Sequence, residues 1–311
     1  MDQTLPAGVS LTACPICGSE RRHLLFALGE ADGVQREACR CGDCGFGHMS
    51  PQLTEAFLAD YYGAAIVYAY GSDRPDDYAA VIGDKVTLIR RFLKAAGGAP
   101  ASGLAVDYGA GVGTTVKAME RLGFDSLGIE ISARSRATAT ALFHIDMRGG
   151  DLGQFADGGI ALLTMFDVME HMLQPRLFTQ QMFDKIRPCG LAMIGVPNFD
   201  SLDRMLRGVK SQVMTFPEHV NFFTRSSLVR MMETAGFEVR YVGSPPPYGV
   251  AISFGIRRAL NRAFGRNAVT RGIGGGLAWL KRWLVYPLPN AIVEHSGVFG
   301  QSLFIVARKP G

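Results

Sequence analysis

Acidic residues nearly vanish from the end of this 311-residue chain: of 28 Asp/Glu, only Glu294 lies beyond residue 238. Ten of the 32 Lys/Arg lie there, so residues 239–311 carry +9 and residues 1–238 carry −5. The overall charge of +4 conceals this division, which points the C-terminal part toward something anionic or toward the acidic body. Long apolar runs are also missing. None approaches the roughly 18–20 residues of a membrane span. Met1–Ser10 has no basic stretch followed by an apolar one, so no export signal is visible and the cytoplasm is the expected compartment. Charged residues make up only 19% and apolar residues 48%, which excludes a disordered chain. Cysteine is confined almost entirely to the start: Cys14, Cys17, Cys39, Cys41 and Cys44, with Cys189 alone elsewhere. In a chain without an export signal such clustering reads as metal ligation before disulfides.

At about 150 residues per domain the length suggests roughly two domains. Residues 11–50 form a cysteine-bearing module, and residues 51–100 a helical linker region with a helix starting near Thr54 and another over Asp77–Ala96. From Leu104 the pattern alternates strand and helix. Apolar runs at 104–108, 126–131, 160–166, 191–196 and 237–242 are separated by helical stretches at 114–122, 133–142, 177–186 and 226–235. A last strand is expected over 302–307. This alternation predicts a doubly wound, Rossmann-like α/β sheet with helices on both faces. The core is assigned to residues 101–244 with its last strand in 301–311, interrupted by a basic insertion over 245–300.

The segment Val106-Asp107-Tyr108-Gly109-Ala110-Gly111-Val112-Gly113 joins a predicted strand to a predicted helix. Its glycines permit a tight turn and close approach of a ligand, and the helix N-terminus offers N–H groups to an anion. The sixth position of a dinucleotide fingerprint counted from Gly109 is Thr114, so that fit is imperfect. Asp107 suits a cationic amino group. Glu130, ending the next strand, can accept from both hydroxyls of a ribose. Asp151, after the third strand region, suits an adenine amino group. An amino acid joined to a nucleoside fits this set, as in S-adenosylmethionine.

With Phe166-Asp167-Val168-Met169-Glu170-His171, Arg187-Pro188-Cys189-Gly190, Val196-Pro197-Asn198, Glu218–Thr224 and Ala235-Gly236-Phe237 following in order, residues 104–242 resemble class I S-adenosylmethionine-dependent methyltransferases. The Asp-x-Gly-x-Gly-x-Gly loop matches that family's first motif and Glu130 its second. Cys189 stands where a glycine is usual. The resemblance implies donor binding by Asp107, Gly109, Ala110, Gly111 and Gly113, by Glu130 and Ile131, and by Asp151, Leu152 and Phe166.

Asp167, Glu170 and His171 are spaced i, i+3, i+4, so a helix there would project all three from one face. Methyl transfer to a hydroxyl needs a base, and histidine titrates in the useful range. His171 is one candidate and His219, between Pro217 and Phe222-Phe223, the second; Asp167 and Glu170 complete the catalytic set. The Glu-His pair is also similar to ubiquinone-pathway O-methyltransferases, a resemblance that would make Asp167, Glu170 and His171 ligands of Mg²⁺. The bland alternative is an acid pair favoured by a helix N-terminus.

Cys14-Pro15-Ile16-Cys17-Gly18 and Cys41-Gly42-Asp43-Cys44-Gly45 are two Cys-x-x-Cys-Gly knuckles. Four thiolates make a closed tetrahedral site, so a structural Zn²⁺ in a zinc-ribbon-like module is expected at Cys14, Cys17, Cys41 and Cys44. Cys39 is left over, as an alternative to Cys41 or a free thiol. In the insertion, Ile256, Leu260 and Phe264 form a helical stripe with Arg257, Arg258 and Arg262 off it, and Trp279 and Trp283 flank Lys281 and Arg282. A cap over the active site is the favoured reading, with peripheral membrane contact as a second one.

The combined expectation is methyl transfer from S-adenosylmethionine to a small-molecule or sugar-type acceptor, with O-methylation assisted by His171 or His219. An RNA methyltransferase with a zinc ribbon is one alternative. Ser244-Pro245-Pro246-Pro247-Tyr248 resembles the motif of nucleic-acid amino-methyltransferases but lies after the sixth strand instead of the fourth, which disfavours nucleic acid. A non-catalytic zinc-ribbon binding protein is the other alternative. Oligomeric state is not legible.

Overall fold

The computed structural model describes residues 10–65, 74–100, 103–245 and 300–311. The expectations for a helical cap and a membrane-contacting surface within residues 246–299 lie outside the described residues. Among the described residues no helix is long and apolar enough to cross a membrane.

In chain order the elements are β1 (Arg22–Ala31), β2 (Val34–Cys41), β3 (Gly47–Ser50), α1 (Glu55–Ala65), α2 (Ala79–Ala95), β4 (Leu104–Tyr108), α3 (Thr114–Arg121), β5 (Asp125–Ile129), α4 (Ala133–Phe143) and β6 (Asp146–Arg148). They continue with β7 (Ile160–Phe166), α5 (Pro175–Lys185), β8 (Ile186–Pro197), α6 (Leu202–Arg207), β9 (Asn221–Phe222), α7 (Arg225–Thr234), β10 (Glu238–Gly243) and β11 (Ser302–Arg308). The larger sheet has seven strands in the order β10-β11-β8-β7-β4-β5-β6. β4 pairs in parallel with both β5 and β7, while β11 runs antiparallel to β8 and β10. The sheet is thus mixed, with one reversed strand in an otherwise doubly wound Rossmann-like fold.

That order has a functional consequence. The chain winds outward from β4 through β5 to β6, then returns to lay β7 on the other side of β4. Ligands of open α/β sheets bind at such a switch point, beyond the carboxyl ends of the strands. Strand β7 is buried through Met165 because helices cover both faces, and it reads as a continuous apolar run. On one face Val106, Met165 and Ile194 pack with Phe178 and Met182 of α5 and Leu228 and Met231 of α7. On the other, Ala105, Leu162 and Met193 pack with Ile89 and Phe92 of α2 and Met119 of α3.

The N-terminal module is less separate than its composition suggests. Its three-stranded antiparallel sheet gains a fourth strand, β9, contributed from beyond residue 220. An outer edge of β3 would otherwise present unpaired backbone groups, and this strand covers it. Gly47 allows the approach, since a Cβ there would lie 2.8 Å from Phe222 Cβ and 2.9 Å from the Phe199 ring. The knuckle residues Cys14, Ile16, Cys41, Cys44 and Phe46 share one buried cluster with Phe223 and the main sheet.

Candidate active site

The glycine loop follows β4 as a sharp reversal. Gly109, Gly111 and Gly113 have φ of +75°, +54° and +78°, a region that L side chains seldom adopt. The N–H groups of Gly109 and Ala110 both donate to the Ile129 carbonyl at 2.8 and 2.9 Å, which binds the loop to the end of β5. Glu130 sits just beyond. Its carboxylate accepts from Gly111 N at 2.8 Å through one oxygen and from Ser132 N at 2.8 Å through the other. Ser132 in turn caps α4 by accepting from Ser135 N. The carboxylate is thereby fixed in orientation, and each oxygen keeps a second acceptor site. Ile131 beside it is 79% exposed, an apolar surface at the rim large enough to cover a flat ring. Leu152 is buried, Phe166 is half-buried, and Asp151 caps the following turn by accepting from Gly153 N at 2.8 Å.

Asp107, expected from the sequence to meet an amino group of the donor, also has partners within the fold. It is buried in the sheet, where Thr164 Oγ1 donates to it at 2.6 Å and Thr115 adds a hydrogen bond. Burial outweighs these and the nearby Lys85 charge, and raises the carboxyl from 3.8 to about 6. Because the acid is raised in the folded state, stability is full below the unfolded value and is lost as pH rises through about 4 to 6. Asp107→Asn keeps an acceptor for Thr164 without the charge. It should raise unfolding free energy at pH 7.5 by up to about 3 kcal/mol. The gain should disappear near pH 3.5, as denaturant titrations at both pH values would read.

Lys85 on α2 was not singled out by sequence. Its Nζ lies 4.4 Å from the Phe166 ring centroid, and Asp107 and Asp167 face it electrostatically. The signal existed: Lys85 sits between Ile82 and Ile89 on the helix's apolar stripe.

The segment after β7 corrects the helical reading. Asp167 has φ +57°, and only a short 3₁₀ turn, Met169–His171, follows. The next helix starts at Pro175, whose ring disfavours helical geometry in the residue before it. The expected face of Asp167, Glu170 and His171 therefore does not form. Asp167 is exposed at the mouth of the switch point, whereas Glu170 is buried. His219 joins instead: ligand-type atoms of Glu170, His171 and His219 lie within 4.8 Å of one another. One carboxylate with two imidazoles is a poor match for Mg²⁺, which prefers oxygen ligands, so the residues do not fit that ion.

The two rings stand 4.9 Å apart at 76°. Each is oriented by a backbone carbonyl at its Nδ1, His171 by Glu218 O and His219 by Val213 O, both at 2.9 Å. A carbonyl only accepts, so Nδ1 carries the hydrogen and the neutral ring has its lone pair on Nε2. Burial lowers both imidazoles; the facing His219 ring pushes His171 further, to about 4, while the Val213 carbonyl and the Glu218 and Asp167 charges partly offset burial at His219. Both are neutral at pH 7. His171 Nε2 lies 3.7 Å from Glu170 Oε1. Burial first, then the Asp167 charge, push Glu170 well above its ordinary range, and neither of its oxygens has a hydrogen-bond partner among the described residues.

Glu218 and Tyr61 were also missed. Tyr61 of α1 donates to Glu218 Oε1 at 3.0 Å, next to the His219 ring. Glu218 was legible as the neighbour of His219, and Tyr61 as part of the aromatic-rich stretch after the knuckles.

In the N-terminal module Cys14, Cys17, Cys41 and Cys44 converge, with Sγ–Sγ separations of 3.6 Å for Cys14–Cys44 and 3.5 Å for Cys17–Cys41. The glycines after each knuckle take φ +74°. Cys39 points elsewhere, and burial raises its thiol.

A family model described as a methyltransferase domain matches residues 81–242, just over half of the chain. A probable S-adenosylmethionine-dependent methyltransferase of Mycolicibacterium smegmatis is 26% identical over 116 residues, covering 36% of this chain and 43% of that protein. An uncharacterized methyltransferase of Mycolicibacterium vanbaalenii is 28% identical over 146 residues, covering 45% of this chain and 57% of that protein. The chain thus spans about half the length of these relatives. Phosphoethanolamine N-methyltransferase 2 of Haemonchus contortus, solved with S-adenosyl-L-methionine, superposes with a TM-score of 0.52 at 13% identity, covering 92% of this chain and 71% of that one. At that identity the likeness concerns the fold alone. The matched span contains the glycine loop, Glu130 and the post-β7 turn, and the chain belongs to the methyltransferase-domain family, in the class I S-adenosylmethionine-dependent fold.

Proposed function

We propose that this protein moves a methyl group from S-adenosylmethionine to a hydroxyl of a small-molecule or carbohydrate-type acceptor. The observation that carries the reading is a division of labour at the β4/β7 switch point. A nucleoside-reading loop with Glu130 lies on the β5 side, and a neutral imidazole pair lies beyond the end of β7. The donor supplies an electrophilic methyl on a sulfonium. Glu130, already oriented by two backbone N–H groups, accepts from ribose hydroxyls. Ile131 covers the adenine ring, and the N–H groups opening α3 face the anionic end of the amino-acid moiety. His219 Nε2 or His171 Nε2 takes the acceptor's proton, and their carbonyl-bound Nδ1 atoms fix the useful tautomer.

The cysteine cluster is read as a structural zinc site. Four sulfurs at about 2.3 Å from a tetrahedral centre stand about 3.8 Å apart, close to the 3.5 and 3.6 Å separations here. The hydrogen bond between Cys14 and Cys44 pushes the first thiol down and the second up, as expected where two close sulfurs share one proton. Cys14, Cys17, Cys41 and Cys44 would hold the ion with no open position, which assigns it stability and not chemistry.

Calorimetric titration with S-adenosylmethionine tests the donor half. One equivalent should bind to the full chain, and Glu130→Ala should weaken it at least about tenfold, the loss of a charge-assisted hydrogen-bond pair. No heat of binding to the wild-type chain would revive the non-catalytic alternative.

A further inference from the structure

The imidazole pair and the cysteine cluster lie far apart in sequence but are joined by continuous hydrogen bonds. Strand β3 starts three residues after Cys44, and it pairs with β9 in the register Gly47↔Phe222, His48↔Asn221. Met49 N donates to Val220 O at 2.9 Å, extending the pairing. The Cys44 carbonyl itself accepts from Ser226 Oγ at 2.8 Å and from Thr224 Oγ1 at 3.4 Å. Phe46 and Phe223 meet edge to face at 5.2 Å. The same short stretch then grips the catalytic turn from its other side. Val220 N donates to Glu170 O at 2.9 Å, and Asn221 Nδ2 donates to Met169 O at 3.1 Å. Glu218 O orients His171 at 2.9 Å. Residues 218–222 are thus held between the second knuckle and the post-β7 turn. The donor half is built otherwise: the glycine loop and Glu130 hang on β5 and the start of α4.

We infer that the Cys14/Cys17/Cys41/Cys44 centre, when metal-loaded, is a positioning element for the His171–His219 pair, so that metal occupancy sets the acceptor half of the site and leaves the donor half intact. The inference rests on the proposed reading of the cysteines as a zinc site and of the imidazoles as the acceptor-side base. Its physical basis is that a module of about 40 residues gains little by burial within itself, so a bound metal would contribute a large share of its order beside the core it shares with the main sheet. Loss of that order removes the partner strand of β9 and the two hydroxyl tethers at Cys44. Ser226 is the positioning residue that can be altered without touching a cysteine or a histidine.

The test uses the full chain loaded with zinc and then stripped with a high-affinity chelator. Three readouts need no acceptor: imidazole ¹⁵N signals against pH, amide exchange across residues 215–224, and calorimetric titration with S-adenosylmethionine. The groups facing the two rings are Glu170, Glu218 and Asp167, together with each ring on the other. In the zinc form both rings should titrate below 6.5, His171 at about 4, as Nδ1–H tautomers. Stripping should return both toward the ordinary value of about 6.5 and speed exchange at 215–224 about tenfold or more, with donor affinity changed less than about threefold. Should the stripped chain aggregate, Ser226→Ala with zinc retained should speed exchange at Val220–Phe222 about fivefold, the equivalent of one net hydrogen bond. Ser226→Thr should reverse that change. Imidazole titrations and exchange that ignore zinc removal and Ser226→Ala, in a chain that still binds the donor, would overturn the inference. So would a chain that takes up no zinc. Absent donor binding in the zinc-loaded chain would instead defeat the proposed function.

Discussion

Replacing His219 with alanine should lower turnover about 10²–10⁴-fold, the usual contribution of a positioned general base, and leave S-adenosylmethionine binding within about threefold. The expectation follows from the ring's setting. Val213 O fixes Nδ1 as the donor, so Nε2 is the proton acceptor, and burial keeps the ring neutral where an exposed histidine would be partly charged. His171→Ala should behave alike if the rings share the proton, and less severely if His171 only orients its neighbour. Release of S-adenosylhomocysteine against a panel of hydroxylated small molecules and sugars would measure both. The sign with pH is fixed as well. A base with a lowered pKa loses activity only on protonation, so the acid limb of the rate profile should lie below 6.5 with His219 as base and at about 4 with His171 as base. Unchanged turnover in both variants would remove the base from the mechanism.

The second large effect is predicted at Gly109. A Cβ added there would lie 2.3 Å from Val168 Cγ2, and φ of +75° already disfavours any side chain. Valine is β-branched and its methyl has little room to turn away. Gly109→Ala should therefore destabilise the chain by about 2–5 kcal/mol, combining left-handed strain of about 1–2 with overpacking of about 1–3. Donor affinity should fall with it, because the loop must shift from the Ile129 carbonyl that anchors it. Adding Val168→Ala should restore the steric part and leave the backbone part, a coupling that a double-mutant cycle in chemical denaturation would read. Additive losses would show that the loop does not touch the post-β7 turn.

Legibility in the sequence followed the range of the interactions. β4 and β7 were readable to the residue because apolar runs buried on two faces leave little choice of boundary. The glycine loop was readable because positive φ leaves a residue signature. The turn at 167–171 was misread, since spacing of i, i+3, i+4 describes a helix only where the backbone continues one, and Pro175 resets the start of α5. The meeting of His171 with His219 depends on β9, a two-residue strand that no periodicity could reveal. Asp107 was assigned by residue type to a ligand, and its hydrogen bonds from Thr164 and Thr115 inside the sheet left no signal in the sequence. Tyr61 reaches Glu218 across 157 residues, a pairing invisible to any local pattern.

The fourth strand of the N-terminal sheet also orders events in time. The module's cysteines are made before the central sheet, yet the strand that closes its edge at Asn221 comes 174 residues after Gly47. The module's sheet is thus completed only after the chain has returned from the central sheet with residues 221 and 222. During that interval β3 exposes an unpaired edge in a segment whose own backbone pairing is limited to β1, β2 and β3. If the four cysteines hold the proposed zinc ion, its supply during synthesis would then raise the yield of folded protein, apart from any effect on the finished molecule.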